Sequence, residues 1–227
     1  MKVGIIVAMS KELNLLLPLL EAHKEEEVDG TRIYKGFLGP HEVAIVQSGI
    51  GKVNAAMGAV ALINAFHPDC VINTGVAGGT GNAARIMDVV LADRVAYHDV
   101  WCGPCGAEPG QVQGLPQFFE GSADIIARAC LNESLDIKVG LIASGDQFID
   151  SVEALDKIKK IYPDVLAVDM ESAPIAHVCH IKGIPFISIR VISDTPGQAD
   201  NSAQYEHFWD DAPQQTFKVL TSIINSL

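Results

Sequence analysis

Short apolar runs alternate along this chain with longer stretches in which apolar residues return every three or four positions. Lys2–Ala8 is a run of strand length. Ser10 reads as an N-cap, and Lys11–His23 carries Leu13, Leu16, Leu17 and Leu20 at helical spacing. Arg32–Leu38 and Glu42–Gln47 alternate on either side of Gly39-Pro40 and predict a hairpin. Gly51–Phe66, small and apolar throughout, predicts a buried helix. Further strands are predicted over Cys70–Thr74, Met87–Ala92, Ile137–Ala143, Val165–Val168 and Pro185–Val191. Further helices are predicted over Ala123–Leu131, Val152–Ile161, Glu171–Ile181 and near Gln214–Ile224.

Strands that alternate with helices imply an α/β protein with a mostly parallel sheet covered on both faces, and near-continuous apolar strands are what such burial requires. Neither an internal repeat nor a linker interrupts the order. Trp101–Pro116 is the one long irregular stretch, rich in Gly and Pro; a loop of that length in a compact domain is usually functional or covers a contact. Polar residues and glycines collect just after strands: Met9–Glu12, Ser48–Gly51, Gly75–Gly81, Ser144–Ile149, Asp169–Glu171 and Ser193-Asp194. Ligands of open α/β sheets bind beyond the carboxyl ends of the strands, so these loops predict one shared pocket.

Composition narrows the functional classes. The chain has 227 residues, 48% hydrophobic and 19% charged, which fits one domain or two small ones and excludes general disorder. Lys+Arg number 16 against Asp+Glu 28, and the net charge of −12 argues against nucleic acid or an anionic membrane as the main partner. Every apolar run is too short for a membrane span. The N-terminal run breaks at Ser10-Lys11-Glu12 with no small-residue cleavage site, so it does not read as a signal peptide. Five cysteines, an odd count in a chain large enough to fold without bridges, read as reduced thiols in a cytoplasmic protein.

Three motifs invite chemistry and fit it poorly. Trp101-Cys102-Gly103-Pro104-Cys105 has the letters of a thioredoxin redox motif, but that motif needs a helix starting at its first cysteine, and Gly-Ala-Glu-Pro-Gly-Gln follows here. His98 with the two cysteines has ligand-like spacing and no evident fourth ligand. Gly79-Thr80-Gly81-Asn82-Ala83-Ala84 loosely fits a dinucleotide fingerprint, yet a strand rather than a long helix is predicted after it. His177 and His180 share a face of the Glu171–Ile181 helix and read as hydrogen-bonded structural groups.

Three acids sit in the converging loops: Glu12, Glu171 and Asp194. Carboxylates gathered at a partly dry site divide their pKa values, one neutral and one ionised. That division suits glycosyl-type cleavage, with an acid on the leaving group and a base on water across an oxocarbenium-like centre. Helix capping is the competing explanation for Glu12 and Glu171.

Longer stretches carry a resemblance. They are Lys2–Glu12, Ser48–Ala56, Ile72–Gly79, Ser144–Ile149, Ala167–Ser172 with Ile175–His180, and Arg190–Asp194. In order and from end to end they resemble the 5′-methylthioadenosine/S-adenosylhomocysteine nucleosidases of the purine nucleoside phosphorylase superfamily. The resemblance is weakest over Trp101–Pro116. It implies one nucleoside phosphorylase-like domain over 1–227: a single-domain three-layer α/β sandwich, its mixed, mostly parallel sheet covered by helices.

The resemblance also implies roles. Asp194 protonates N7 of adenine, steadied by Ser193, and Glu12 deprotonates the water that attacks C1′. Glu171 accepts hydrogen bonds from the ribose hydroxyls, with Met170 under the sugar. Phe148 stacks on adenine while the Ile149 backbone reads its edge, a main-chain donor and acceptor matching an acceptor and donor. Met9 and Ile50 line a slot for the 5′-alkylthio group. Asn73, Ala77, Gly78 and Arg190 fall near the water and the base, and Arg190 pairs with Glu12 or orients the water. Val76 departs from a family that often has serine there. No metal or organic cofactor is implied, and the partners are adenine nucleosides and a second copy of the chain, with Gly51–Phe66 in the homodimer contact.

A phosphate-dependent nucleoside phosphorylase is the alternative. Its phosphate calls for arginines after the first and near the fourth predicted strand. Glu12 and Asn73 stand in those places, and no arginine lies between Met1 and Arg32.

Overall fold

The computed structural model describes residues 1–131, 137–196, 204–206, 208 and 213–227, without the side chains of 213–218. Its strands are β1 (Lys2–Val7), β2 (Glu21–Val28), β3 (Thr31–Leu38), β4 (His41–Gln47), β5 (Cys70–Gly79), β6 (Val89–Tyr97), β7 (Phe119–Glu120), β8 (Ile137–Ser144), β9 (Ala167–Asp169) and β10 (Phe186–Asp194). The helices are α1 (Ser10–Leu16), α2 (Lys52–Phe66), α3 (Ala123–Cys130), α4 (Val152–Ile161), α5 (Ser172–Lys182) and α6 (Pro213–Ser226).

One mixed sheet forms the middle layer. Its central pairings, β4–β1–β5–β10, are parallel, as are β6–β8 and β8–β9. Antiparallel pairs form the β2–β3–β4 edge and join β10 to β6, β5 to β9 and β7 to β6. Because β9 returns to β5, the strands β5, β10, β6, β8 and β9 close on one another in a ring. A closed ring has no free edge, so every strand in it is hydrogen-bonded on both sides.

Alternation along β1 divides the core. Ile6 packs with Leu62 and Phe66 of α2 and with Ala173 and Ala176 of α5. Val3, Ile5 and Val7 pack on the other face with Leu13 and Leu16 of α1, Ile125 of α3 and Leu220 of α6. Helices on both faces of the sheet give the expected three layers. Leu155 and Ile158 of α4 cover the far end of the ring with Leu141 and Ala143 of β8.

Four expectations change. The first helix ends at Leu16, because Pro18 cannot supply the next helical donor; Leu17–Leu19 form a 3₁₀ turn, and Glu21–Val28 continue as a strand. That strand is charged and exposed, which suits the sheet's open edge. Ser10 is not the N-cap: Met9 holds that place in extended conformation, and Glu12 supplies the side chain that caps it. Similarly, Glu171 is the N-cap of α5 rather than part of its first turn. α2 is buried on one face only, with Val53 70%, Met57 63% and Val60 38% exposed.

Candidate active site

The loops predicted to converge do so. Glu12 and Met9 follow β1, Ile50 precedes α2, and Ala77 and Gly78 end β5. Phe148 and Ile149 follow β8, Met170 and Glu171 follow β9, and Arg190, Ser193 and Asp194 lie on β10. All twelve line one pocket. β5 lies between β1 and β10, so Glu12 and Asp194 come from opposite flanks of one central strand.

Glu12 is 2% exposed. Its Oε2 accepts the N–H groups of Ala8 and Met9, each at 2.9 Å, and its Oε1 accepts Val76 N–H at 3.3 Å. The capping explanation therefore holds, but it uses mainly one oxygen. A carboxylate offers about four lone-pair sites, so these three bonds leave room for one more donor. Burial pushes its pKa up, against the nearby Arg190 charge and the three N–H groups. The Val76 backbone thus serves this site, whatever its side chain lacks.

Asp194 is also buried, and the Ser193 hydroxyl donates to its Oδ1 at 2.6 Å. Burial pushes its pKa up, and the Ser193 bond partly offsets this. Glu12 has three N–H donors and a cation to stabilise its anion. Asp194 has a hydroxyl set against its burial. Burial thus moves both acids toward their neutral forms.

One of the two roles expected of Arg190 changes. Rather than pairing with Glu12, its Nη2 meets Asp169 Oδ2 at 2.8 Å and Asn73 Oδ1 at 2.6 Å, with Glu171 Oε2 at 3.5 Å. The reason lies in the burial of Asp169, whose side chain is 1% exposed and needs a cation. Asn73 in turn donates to Ile6 C=O and braces the guanidinium from outside the pocket lining, so it does not stand by the base. Asp169 also accepts the Ser144 and Ser172 hydroxyls. Sequence reasoning missed Asp169, although it belongs to the Asp169-Met170-Glu171 stretch that carries the resemblance.

Glu171 accepts Gly51 N–H at 3.0 Å, and burial with the charges of Asp169 and Glu12 pushes its pKa up to about 7. The native state thus holds a proton that the unfolded chain releases near 4.5. The resulting stability is complete below pH 4.5 and is lost as pH rises through about 7. The Tm of the ligand-free protein is expected to fall over that window. Glu171→Gln should flatten the fall, and an equally steep slope in the variant would refute the assignment.

Gly75 is a close-approach position. A Cβ there would lie 2.4 Å from Glu12 Oε1 and 2.5 Å from Arg190 Nη1. Gly75→Ala is therefore expected to fold, since both atoms end long side chains, but to push Glu12 off its axis and lower kcat about 10-fold. Steady-state kinetics beside a thermal melt tests this; wild-type kcat would show that the two side chains adjust freely.

Sequence reasoning also missed Tyr205, whose hydroxyl lies 3.2 Å from Met9 Sδ and whose ring meets Phe148 edge-on at 5.9 Å. No periodicity marks it, because it sits in a polar stretch after Pro196. The decoy motifs lie elsewhere. Gly103–Cys105 is a lone 3₁₀ turn, with no helix starting at Cys102. After Gly79 the chain turns, with the Thr80 hydroxyl on Val165 C=O, and continues to β6. His177 bonds the Tyr97 hydroxyl at 3.0 Å and stacks on Phe119, which His180 meets edge-on. Among the described residues, no three His, Cys, Asp or Glu side chains gather as metal ligands.

The model of the phosphorylase superfamily matches residues 2–225. A 5′-methylthioadenosine/S-adenosylhomocysteine nucleosidase of Staphylococcus aureus (strain MRSA252) is 40% identical over 99% of this chain and 100% of its own length. The chain belongs to the 5′-methylthioadenosine/S-adenosylhomocysteine nucleosidases of the phosphorylase superfamily. Solved nucleosidases of this family share the architecture. That of Streptococcus pyogenes, in complex with 5-methylthiotubericidin, superimposes with a TM-score of 0.95 at 39% identity, covering 100% of this chain and 97% of the other. That of Neisseria meningitidis, in complex with methylthio-immucillin-A, gives 0.94 at 37%, covering 100% and 99%.

Proposed function

We propose that this nucleosidase hydrolyses the N-ribosidic bond of 5′-methylthioadenosine and S-adenosylhomocysteine, releasing adenine and the 5′-alkylthioribose. Asp194 gives its proton to N7 while Ser193 holds the carboxyl, so adenine leaves as a neutral base. Positive charge then builds on the ribose, and Glu12 takes a proton from the water that adds at C1′. Glu171 receives the ribose hydroxyls above Met170. Phe148 stacks on the base, the Ile149 backbone reads its edge, and Ala77 and Gly78 flank it. Met9, Ile50 and the Tyr205 ring border the slot for the alkylthio group. Arg190 acts by fixing the acids around it and the water beside Glu12.

The observation that carries water over phosphate is the pairing of the cations. Arg190 is already engaged by Asp169, Asn73 and Glu171. Glu12, buried where an anion clamp would stand, opposes phosphate by about 4 kcal/mol per unit charge at 4 Å. The test is purified protein with methylthioadenosine, with and without inorganic phosphate. Equal rates of adenine release and a free reducing sugar are expected. Dependence on phosphate, with a sugar 1-phosphate as product, would replace this reading by the phosphorylase.

We further infer that the chain acts as one domain and as a homodimer in the cytoplasm. The support for the dimer is the exposed apolar stripe of Val53, Met57 and Val60 beside the pocket's own Ile50. No helix of the described residues is long and apolar enough to cross a membrane.

A further inference from the structure

The proposed chemistry gives Asp169 no task, although it borders the pocket and its side chain is only 1% exposed. Its oxygens are all taken. Oδ1 accepts the Ser144 hydroxyl, Oδ2 accepts the Ser172 hydroxyl and Arg190 Nη2, and Ser172 N–H lies 3.3 Å from each. A carboxylate has about four lone-pair sites, so none remains for a substrate. Asp169 can therefore reach the reaction only through Arg190.

Two serines tie that carboxylate to the frame. Ser144 ends β8, and its Oγ also accepts Ala173 N–H at 2.9 Å. Ser172 opens α5, and its Oγ meets Ser188 Oγ of β10 at 2.7 Å. The guanidinium is held along one edge: Nε and Nη2 both reach Ser172 Oγ at 3.3 Å, and Nη2 reaches Asn73 Oδ1 at 2.6 Å. Nη1 lies on the other side, over Gly75, where it shares with Glu12 Oε1 the space a Cβ would need. The charges that meet here are Arg190 from β10, Asp169 at the end of β9, Glu171 before α5 and Glu12 from α1. His98, after β6, is in range of Asp169, and Asp194, further along β10, lines the same pocket. One cation thus serves three acids. Asp169 holds it at 2.8 Å and Glu171 at 3.5 Å, so the nearest acid determines what the other two receive.

We propose that Asp169 is a positioning residue: it holds the Nε–Nη2 edge of Arg190 down on β9 and α5, which keeps the guanidinium from closing on Glu12 and leaves Nη1 for the attacking water. The inference rests on the hydrolase reading above. A carboxylate in direct contact with a guanidinium gives up its affinity for protons and becomes a weaker base. Asp169 therefore protects the basicity of Glu12 by occupying the cation that would otherwise pair with it.

The test is the pH dependence of kcat for adenine release from methylthioadenosine. Asp169→Asn and Asp169→Ser remove the charge in two different shapes, and a thermal melt beside the kinetics shows which variants are folded. Each removes a negative charge and frees Arg190 for Glu12, and both effects favour the ionised base. The acid limb of the profile should therefore move down by about one pH unit. At its plateau kcat should fall about 10-fold, because the water loses its oriented partner. Asp169→Glu, which keeps the charge, should return the limb to its native position. Ser144→Ala removes one bond from the same network and leaves the charge in place, so Tm should fall while the limb stays. An unmoved limb in the folded Asp169 variants, or an equal shift in Ser144→Ala, would overturn the inference. The native protein in the same series tests the hydrolase reading separately: absence of adenine release there refutes that reading, whereas native release with an unmoved limb in the variants refutes only the role of Asp169.

Discussion

Asp194→Asn is expected to lower kcat for adenine release by at least ~10²-fold, the usual loss when a general acid is removed. The amide keeps the shape of the carboxyl and can still accept the Ser193 hydroxyl, which is 2.6 Å from Oδ1 in the native chain. It has no proton of comparable acidity to give N7. KM should therefore change by only a few-fold. The pH profile should change in kind too. On the proposed mechanism activity requires Asp194 protonated, and its pKa is raised by burial. Rate therefore falls as pH rises through that value, and this alkaline limb should vanish in the variant. Near-native kcat in Asp194→Asn would end the assignment.

Glu12→Gln is expected to bind substrate and fail to hydrolyse it, with kcat reduced ~10²–10⁴-fold. The contacts of the native carboxylate sharpen the expectation. Both oxygens accept backbone N–H groups: Ala8 and Met9 on Oε2, Val76 on Oε1. A glutamine has one acceptor oxygen, so its amide nitrogen must face a donor. Leaving that buried N–H unpaired costs about 1–3 kcal/mol of stability. Tm should thus fall together with kcat, while equilibrium dialysis still detects bound methylthioadenosine. A folded variant that no longer binds would make Glu12 a binding group instead.

The sequence carried the buried strands well, because strands covered on both faces must be apolar runs whatever their neighbours. It also carried the pocket, since glycines and acids collect where strands end. β2 was invisible for the complementary reason. As the open edge of the sheet it holds Glu25, Glu26 and Glu27, a pattern that buries nothing and reads as surface. The partner of Arg190 was equally hidden. Which of Glu12, Asp169 and Glu171 would take the guanidinium depends on packing at one point in space, and spacing along the chain does not encode it. Tyr205 reaches Phe148 only through the fold.

The strand ring makes the order of synthesis matter. β10 is inserted between β5 and β6, yet it is made more than a hundred residues after β5. A nascent chain that has not yet emitted Phe186 therefore exposes two apolar strand edges facing an open slot, a template for intermolecular pairing. The same final strand brings Arg190, Ser193 and Asp194. Until the ribosome has delivered it, the polypeptide is at once aggregation-prone and without the proposed proton donor, so closing the strand ring and completing the pocket become a single late event.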